Sequence, residues 1–382
     1  MKLSQRVLNL APSATLTMKA RAKILQDQGI KIISLGTGEP DFETPTCIIQ
    51  AAHQALDQGV SRYTASRGTD ALINAMRLKF KRDQGLEYAA SQVLSSVGAK
   101  SSLSLAIDSC LEPGTQAIIL KPYWVSYPDL VQLAGADPVF AQPNLESIQK
   151  AITPQTRVIF LNSPNNPDGS VYSVDFLRGL MKLLENSDIW VISDEIYEHL
   201  VFDGVKAISP ASLSQDAYDR TLVISGVSKG YAMTGWRVGI AAGPENLISA
   251  MAKLQEQRCT CIPAICQAAA VYALTEPPEL KVEIENMRAA YQHRRDICLE
   301  AISKIKNISC QKPQGAFYTL VDFSKRYPND EDLANRLLSE AHVATVSGSA
   351  FGVPGCLRLS LAVSLDTILE GVSRIKNFLD TH

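Results

Sequence analysis

The chain has 382 residues, 46% hydrophobic and 20% charged, with 37 basic residues against 39 acidic ones and a formal net charge of −2. That apolar fraction excludes a disordered chain. The balanced charge leaves no cationic excess to release counterions from a nucleic-acid backbone, so no nucleic-acid partner is expected. A single core seldom grows past about 250–300 residues, so one large domain with a smaller companion is expected.

At the N-terminus, Met1 to Pro12 carries Lys2 and Arg6 but no apolar run of the kind a signal peptide needs. The uncharged stretch Cys259 to Thr275 contains Pro263 and Gln267 and is too short to span a bilayer. No membrane association is expected. Eight scattered cysteines without a CxxC pair read as reduced thiols of a cytoplasmic protein. The C-x-C-x4-C run at Cys259, Cys261 and Cys266 lacks a nearby histidine and is broken by Pro263, so no metal site is expected.

Ser96-Val97-Gly98-Ala99-Lys100-Ser101 opens an apolar helix running to about Leu111, and the small residues at its start expose backbone N–H groups that suit a phosphate. Nearly continuous apolar runs then follow at Gln116–Lys121, Arg157–Leu161, Ile189–Ser193, Thr221–Ser225 and Val238–Ala242. They read as strands buried on both faces. Between them lie amphipathic stretches such as Ser173–Asn186. This alternation predicts an α/β fold with a mostly parallel sheet covered by helices. Glu276-Pro277-Pro278-Glu279 breaks the pattern. A long helix over Leu280–Ile305, strands at Gly315–Phe323 and Arg358–Val363, and helices at Asp330–Ala341 and Leu365–Leu379 then read as a smaller α+β domain.

Functional groups in such sheets collect where strands end. The run Asn162 to Gly169 follows one strand and has the composition of a tight turn. Asp194-Glu195-Ile196-Tyr197 follows the next, and its spacing puts the Asp194 carboxylate and the Tyr197 hydroxyl on one side of a helical turn. Lys229 stands among small and apolar residues after a third strand, where burial lowers an amine's pKa and makes it a usable nucleophile or base. A lysine amine, a carboxylate, a phenol, an amide, an arginine and a phosphate cradle match the needs of pyridoxal phosphate (PLP).

The motifs GTGEPDFETP (Gly36–Pro45), PYWVSYP (Pro122–Pro128), SPNNPDG (Ser163–Gly169), SDEIYEHL (Ser193–Leu200) and SKGYAMTGWRVG (Ser228–Gly239) occur in that order. Together they resemble the class I aminotransferases over essentially the whole chain, and most closely the bacterial subgroup that includes aspartate and prephenate enzymes. The resemblance implies a fold-type I PLP transferase, with a large PLP-binding domain over 45–275 and a small domain formed by 1–44 and 276–382. It also implies a homodimer with shared active sites. Lys229 then matches the Schiff-base lysine and Asp194 the partner of the pyridinium nitrogen. Tyr197 and Asn166 match the groups holding the ring's phenolic oxygen, and Trp124 the aromatic that stacks on the ring. Arg237, Ala99 and the N–H of Lys100 match the phosphate cradle, and Tyr63 the tyrosine reaching the partner's phosphate.

The same resemblance assigns Arg358 to the substrate α-carboxylate, beside the backbone of Gly38, with Trp124 and Asn166 also lining the substrate site. Thr15 (in Pro12-Ser13-Ala14-Thr15) and Lys100 match the positions serving a distal carboxylate. The implied reaction is ping-pong transfer of the amino group of L-aspartate to 2-oxoglutarate. Prephenate or aromatic transamination is the nearest alternative and a PLP β-lyase a more distant one. Two departures stand out. Many relatives have a hydroxyl residue three before the lysine where this chain has Gly226, leaving Ser225 or Ser228 to take that role. Arg258 stands in a turn that is usually Ser/Thr-rich, and reads either as a distal-carboxylate ligand or as a solvated side chain.

Overall fold

The computed structural model describes residues 1–8, 10 and 12–382, so Asn9 and Ala11 of the expected 1–44 portion lie outside the described residues. A seven-stranded sheet forms the centre, built from β1 (Val93–Val97), β2 (Gln116–Leu120), β3 (Asp137–Ala141), β4 (Thr156–Asn162), β5 (Trp190–Asp194), β6 (Thr221–Gly226) and β7 (Val238–Ala242). Its order is β1-β7-β6-β5-β4-β2-β3. All pairings are parallel except those of β7, which runs antiparallel to both β1 and β6. The five runs expected as strands are all present, with ends that differ by a residue or so. The two strands the hydropathy pattern misses have physical excuses. In β1, Ser95 and Ser96 interrupt the apolar run. In β3, Pro138 is tolerated because the strand lies at the sheet edge.

Helices cover both faces, which is why the central strands are apolar on both sides. The expected amphipathic segment forms a helix over Val174–Leu184, capped by the Ser173 hydroxyl, and buries Leu177, Leu180, Met181 and Leu184 against the sheet. Helix Asp70–Gln84 starts at the Thr69 side chain and ends at Gly85, whose φ of 69° is the left-handed conformation that glycine adopts without strain.

The C-terminal third carries a second, four-stranded antiparallel sheet, with Cys356–Ser360 and Tyr318–Asp322 at its centre. Near the N-terminus, Ile33–Ser34 pairs in parallel with Val343–Ala344. Ile33 and Leu35 share a core cluster with Val372, Ile375 and Phe378 of the last helix. Two expected strands are shorter than the sequence suggests. Ala316, at φ 58°, turns the chain before Tyr318, so that strand does not begin at Gly315. The last strand ends at Ser360: the Leu361 N–H still meets the Phe317 carbonyl in register at 2.8 Å, but the next N–H, of Ala362, turns back to the Ser360 hydroxyl at 3.1 Å.

Candidate active site

A cavity of about 310 Å³ lies beyond the carboxyl ends of β4, β5 and β6, and the small sheet closes its other side. Strand chemistry sets its floor. Asn162 ends β4 and Asp194 ends β5, paired in register. The Asn162 amide donates to the Asp194 carbonyl at 2.9 Å and accepts the Asn166 N–H at 2.9 Å. The tight turn expected at 162–169 is therefore tied to the neighbouring strand end, which aims Asn166 into the cavity.

Asp194 and Tyr197 both line the cavity, but the helical turn expected between them does not form. The segment is a pair of tight turns, Glu198 N–H to Glu195 O at 3.0 Å and Leu200 N–H to Tyr197 O at 2.8 Å. The chain then continues into the bridge between Val201 and Gly315 rather than coiling further. Tyr127 donates to the Asp194 carboxylate at 2.8 Å. Burial nonetheless pushes the Asp194 carboxyl up to about 6, against the lowering effect of that hydrogen bond and of nearby Lys229. Because the folded value lies above the ordinary 3.8, the stability this group contributes is full below about 4 and is lost as pH rises through about 6. The cofactor-free Asp194→Asn variant is therefore expected to melt above the parent at pH 7.5, with the difference vanishing below pH 4. Thermal melts across that range check this, and equal melting temperatures at both ends would refute it.

Lys229 follows β6 and donates to the Gly38 carbonyl at 2.7 Å. Burial is the main cause lowering its amine to about 8, reinforced by Arg237 and Arg358 and opposed by Glu39 and Asp194. Ser228 lines the cavity beside it, whereas Ser225 donates to Glu198 behind the sheet. Of the two serines left open by the sequence, Ser228 is the one at the cavity. The glycine at 226 has a steric reason: a Cβ there would lie 2.9 Å from the Val238 carbonyl, across the tight β6–β7 pairing.

The helix Ala99–Cys110 points its N-terminus at the cavity. Gly98 precedes it at φ 81°, and a Cβ on Gly98 would sit 2.4 Å from an Arg237 guanidinium nitrogen. Arg237 itself is held at a positive φ of 53°, with its guanidinium donating to the Thr234 carbonyl at 3.0 Å. Free helix N–H groups, an arginine packed against a side-chain-free backbone, and the Ser228 hydroxyl together make a phosphate cradle. A buried carboxylate at Asp194 suits a cationic ring nitrogen, and Lys229 offers an amine that is neutral above about 8. The donor set fits PLP.

Arg358 lies on Cys356–Ser360, with Leu357 and Leu359 in the small core and its own side chain on the cavity side. It is 2% exposed, donates to the Asn166 side-chain oxygen at 2.9 Å and to the Gly36 carbonyl at 3.1 Å, and stacks on Tyr318 at 4.3 Å. Its Nε–H is buried without an acceptor, as expected of a site waiting for an anion. Lys100 donates to the Ser126 hydroxyl at 3.1 Å and lies 4.7 Å over the Trp124 ring. Thr15, Gly38 and Trp124 also line the cavity, together with Ser13.

Two residues singled out in the sequence lie outside this cavity. Tyr63 does not line the cavity, and it is 89% exposed. Arg258 pairs with Asp108 at 2.6 Å, outside the cavity lining. Among the residues the sequence reading did not assign to the site, Asn162 and Tyr318 line the cavity and Tyr127 holds Asp194 from outside its lining. Tyr127 could have been found from its i,i+3 spacing to Trp124, and Asn162 from its place at a strand end. Tyr318, which meets the Tyr197 hydroxyl at 3.1 Å, carries no local signal. The only histidine-and-carboxylate trio close enough to hold a metal, among the described residues, is Asp83, His199 and Glu276. Arg82 already pairs with both of its carboxylates. No helix among the described residues is long and apolar enough to cross a membrane.

Residues 30–375 match the family model "Aminotransferase class I and II". The chain is 41% identical to an aspartate aminotransferase of Geobacillus stearothermophilus, over all of this chain and 99% of the relative. It is 40% identical to an aspartate/prephenate aminotransferase of Cereibacter sphaeroides, over 98% of each. The solved structure of the Thermus thermophilus aspartate aminotransferase with maleate superposes with a TM-score of 0.95 at 39% identity, over 99% of each chain. The chain belongs to the class I and II aminotransferases, a PLP-dependent family with the fold-type I architecture described above.

Proposed function

We propose that this chain is an aspartate aminotransferase that moves the amino group of L-aspartate to 2-oxoglutarate. The observation that carries the reading is the pair of cations in one cavity. Arg358 has an unpartnered Nε–H and Lys100 has an amine held beside Trp124. Two cations in one cavity suit a substrate with two carboxylates. The relatives named for aspartate, and the one solved with maleate, support the same substrate class.

When bound, PLP supplies the carbonyl carbon that takes up the substrate amine and the ring that accepts the electron pair released at Cα. Residues 98–100, Ser228 and Arg237 would hold its phosphate, Trp124 would pack on its ring, and Tyr197 and Asn166 would hold its phenolic oxygen. Asp194 would keep a proton on the ring nitrogen, its charge sustained by the Tyr127 hydroxyl. Arg358 would grip the substrate α-carboxylate with two donors, fixing which bond at Cα faces the reacting amine. Lys229, neutral above about 8, would take the proton from the substrate Cα.

L-Aspartate added alone to the PLP-loaded protein is expected to change the cofactor's absorption and release about one oxaloacetate per site, as two separable half-reactions require. No spectral change and no oxaloacetate would overturn the assignment. Transamination of prephenate is the second reading, favoured by an adjoining hollow of about 580 Å³ that shares Ser13, Val125 and Ser126 with the cavity. A spectral response to its amino product but not to aspartate would establish it instead.

We read residues 45–275 as the large domain and 1–44 with 276–382 as the small one, supported by the pairing of Ile33–Ser34 with Val343–Ala344. A homodimer in which the exposed Tyr63 reaches the partner's phosphate accounts for its place outside its own cavity. The eight free thiols suit a cytoplasmic enzyme.

A further inference from the structure

Behind the strand ends, on the far side from the cavity, lies a buried polar cluster that the reaction does not use directly. Lys79, on helix Asp70–Gln84, is 1% exposed. Its ammonium pairs with Glu198 and lies 3.7 Å from Asp83, which Arg82 also covers. Glu198 accepts in turn from the Ser225 hydroxyl. The Gln84 amide nitrogen bridges Glu198 at 2.9 Å and Glu195 at 2.6 Å, and Glu195 is further held by Ser193 at 2.8 Å and Ser209 at 2.7 Å. His199, Tyr88, Tyr231 and Glu276 are further titratable groups around it.

We propose that Lys79, acting through Glu198 and Ser225, is a positioning residue for the cofactor-facing side chains Tyr197 and Lys229. Glu198 and Tyr197 are adjacent on one tight turn and point to opposite sides, Glu198 to Lys79 and Tyr197 to the cavity. Ser225 lies on β6, four residues before Lys229. The Lys79–Glu198–Ser225 bridge therefore ties the turn that carries the phenol to the strand that delivers the amine, and helix Asp70–Gln84 anchors both. Stability alone is a weak reason for burying such ions, since well-packed apolar residues of similar volume often do as well or better. A fixed separation between two backbone segments is something apolar packing specifies less sharply. At a reacting centre, a displacement of about 1 Å can cost about 100-fold in rate.

The inference rests on the reading that the cavity holds PLP, so uptake of PLP by the unsubstituted protein is measured first. Lys79→Met and Ser225→Ala are then each expected to lower kcat by roughly tenfold or more with KM little changed. Each is also expected to move the pH midpoint of the bound cofactor's absorption by roughly half a unit or more, because the phenol and the amine no longer hold their places. Lys79→Arg, which keeps the cation, restores part of both. Ser225→Ala removes only a hydroxyl and tests the bridge even if Lys79→Met fails to fold. Variants with lower melting temperatures but an unmoved midpoint and kcat would show a merely structural cluster and overturn this proposal alone. A parent protein that takes up no PLP would overturn the cofactor reading and this proposal with it.

Discussion

Lys229→Ala is expected to reduce transamination by at least about 10²–10⁴-fold, the range typical of losing a positioned general base. The expected loss lies at or beyond the upper end, because the same amine anchors the cofactor. The fold should survive. Burial holds this amine well below its ordinary value, so its charged form is a cost to the folded chain at neutral pH. Far-UV circular dichroism and a thermal melt at pH 7 should match or exceed the parent. A small primary amine supplied in solution should restore part of the rate, since the variant leaves the Gly38 carbonyl facing a vacated space. Near-parental turnover without added amine would remove Lys229 from the mechanism.

The second large effect belongs to Arg358. Arg358→Leu deletes a buried cation whose two terminal nitrogens serve Asn166 and Gly36 and whose Nε–H has no acceptor among the described residues. Losing one partner of a buried charged contact costs about 2–5 kcal/mol, so kcat/KM for L-aspartate should fall by about 30- to 5,000-fold. Arg358→Lys should recover little, because a single ammonium cannot reproduce the fork of donors that fits a carboxylate. An amine substrate that lacks the α-carboxylate should be processed about equally by parent and variant. If that substrate loses as much as aspartate does, Arg358 acts on the architecture of the site and not on the carboxylate.

The sequence made the sheet readable where burial forces a simple pattern. In β4, β5 and β6 both faces are covered, so the runs are nearly continuous in apolar residues, and β4 and β5 end on Asn162 and Asp194, which line the cavity. Asn166, Asp194 and Lys229 could be picked out because they follow such runs directly. Tyr318 and the burial of Arg358 could not. They arrive from the other sheet, and nothing local in their strands says which face meets the cavity. The turn at Asp194–Tyr197 looked helical because i,i+3 spacing is common to a helix and to successive tight turns, and the bridge at Val201 decides between them. Gly226 was legible as a departure but not as a necessity. Its reason is the Val238 carbonyl, a contact made across the sheet.

The pairing of Ile33–Ser34 with Val343–Ala344, and the position of Arg358 beyond it, sets an order on biosynthesis. Every strand of the central sheet has been synthesised once residue 242 is made, so residues 98–100 and the amine at 229 come early in the chain. The guanidinium of Arg358, proposed for the substrate, comes more than a hundred residues later, on a strand paired with Tyr318–Asp322 and Val346–Ser347. A chain clipped before residue 317 would lose Arg358 together with Phe317 and Tyr318, on which Tyr197 packs, so reactivity is expected to wait until the chain is whole.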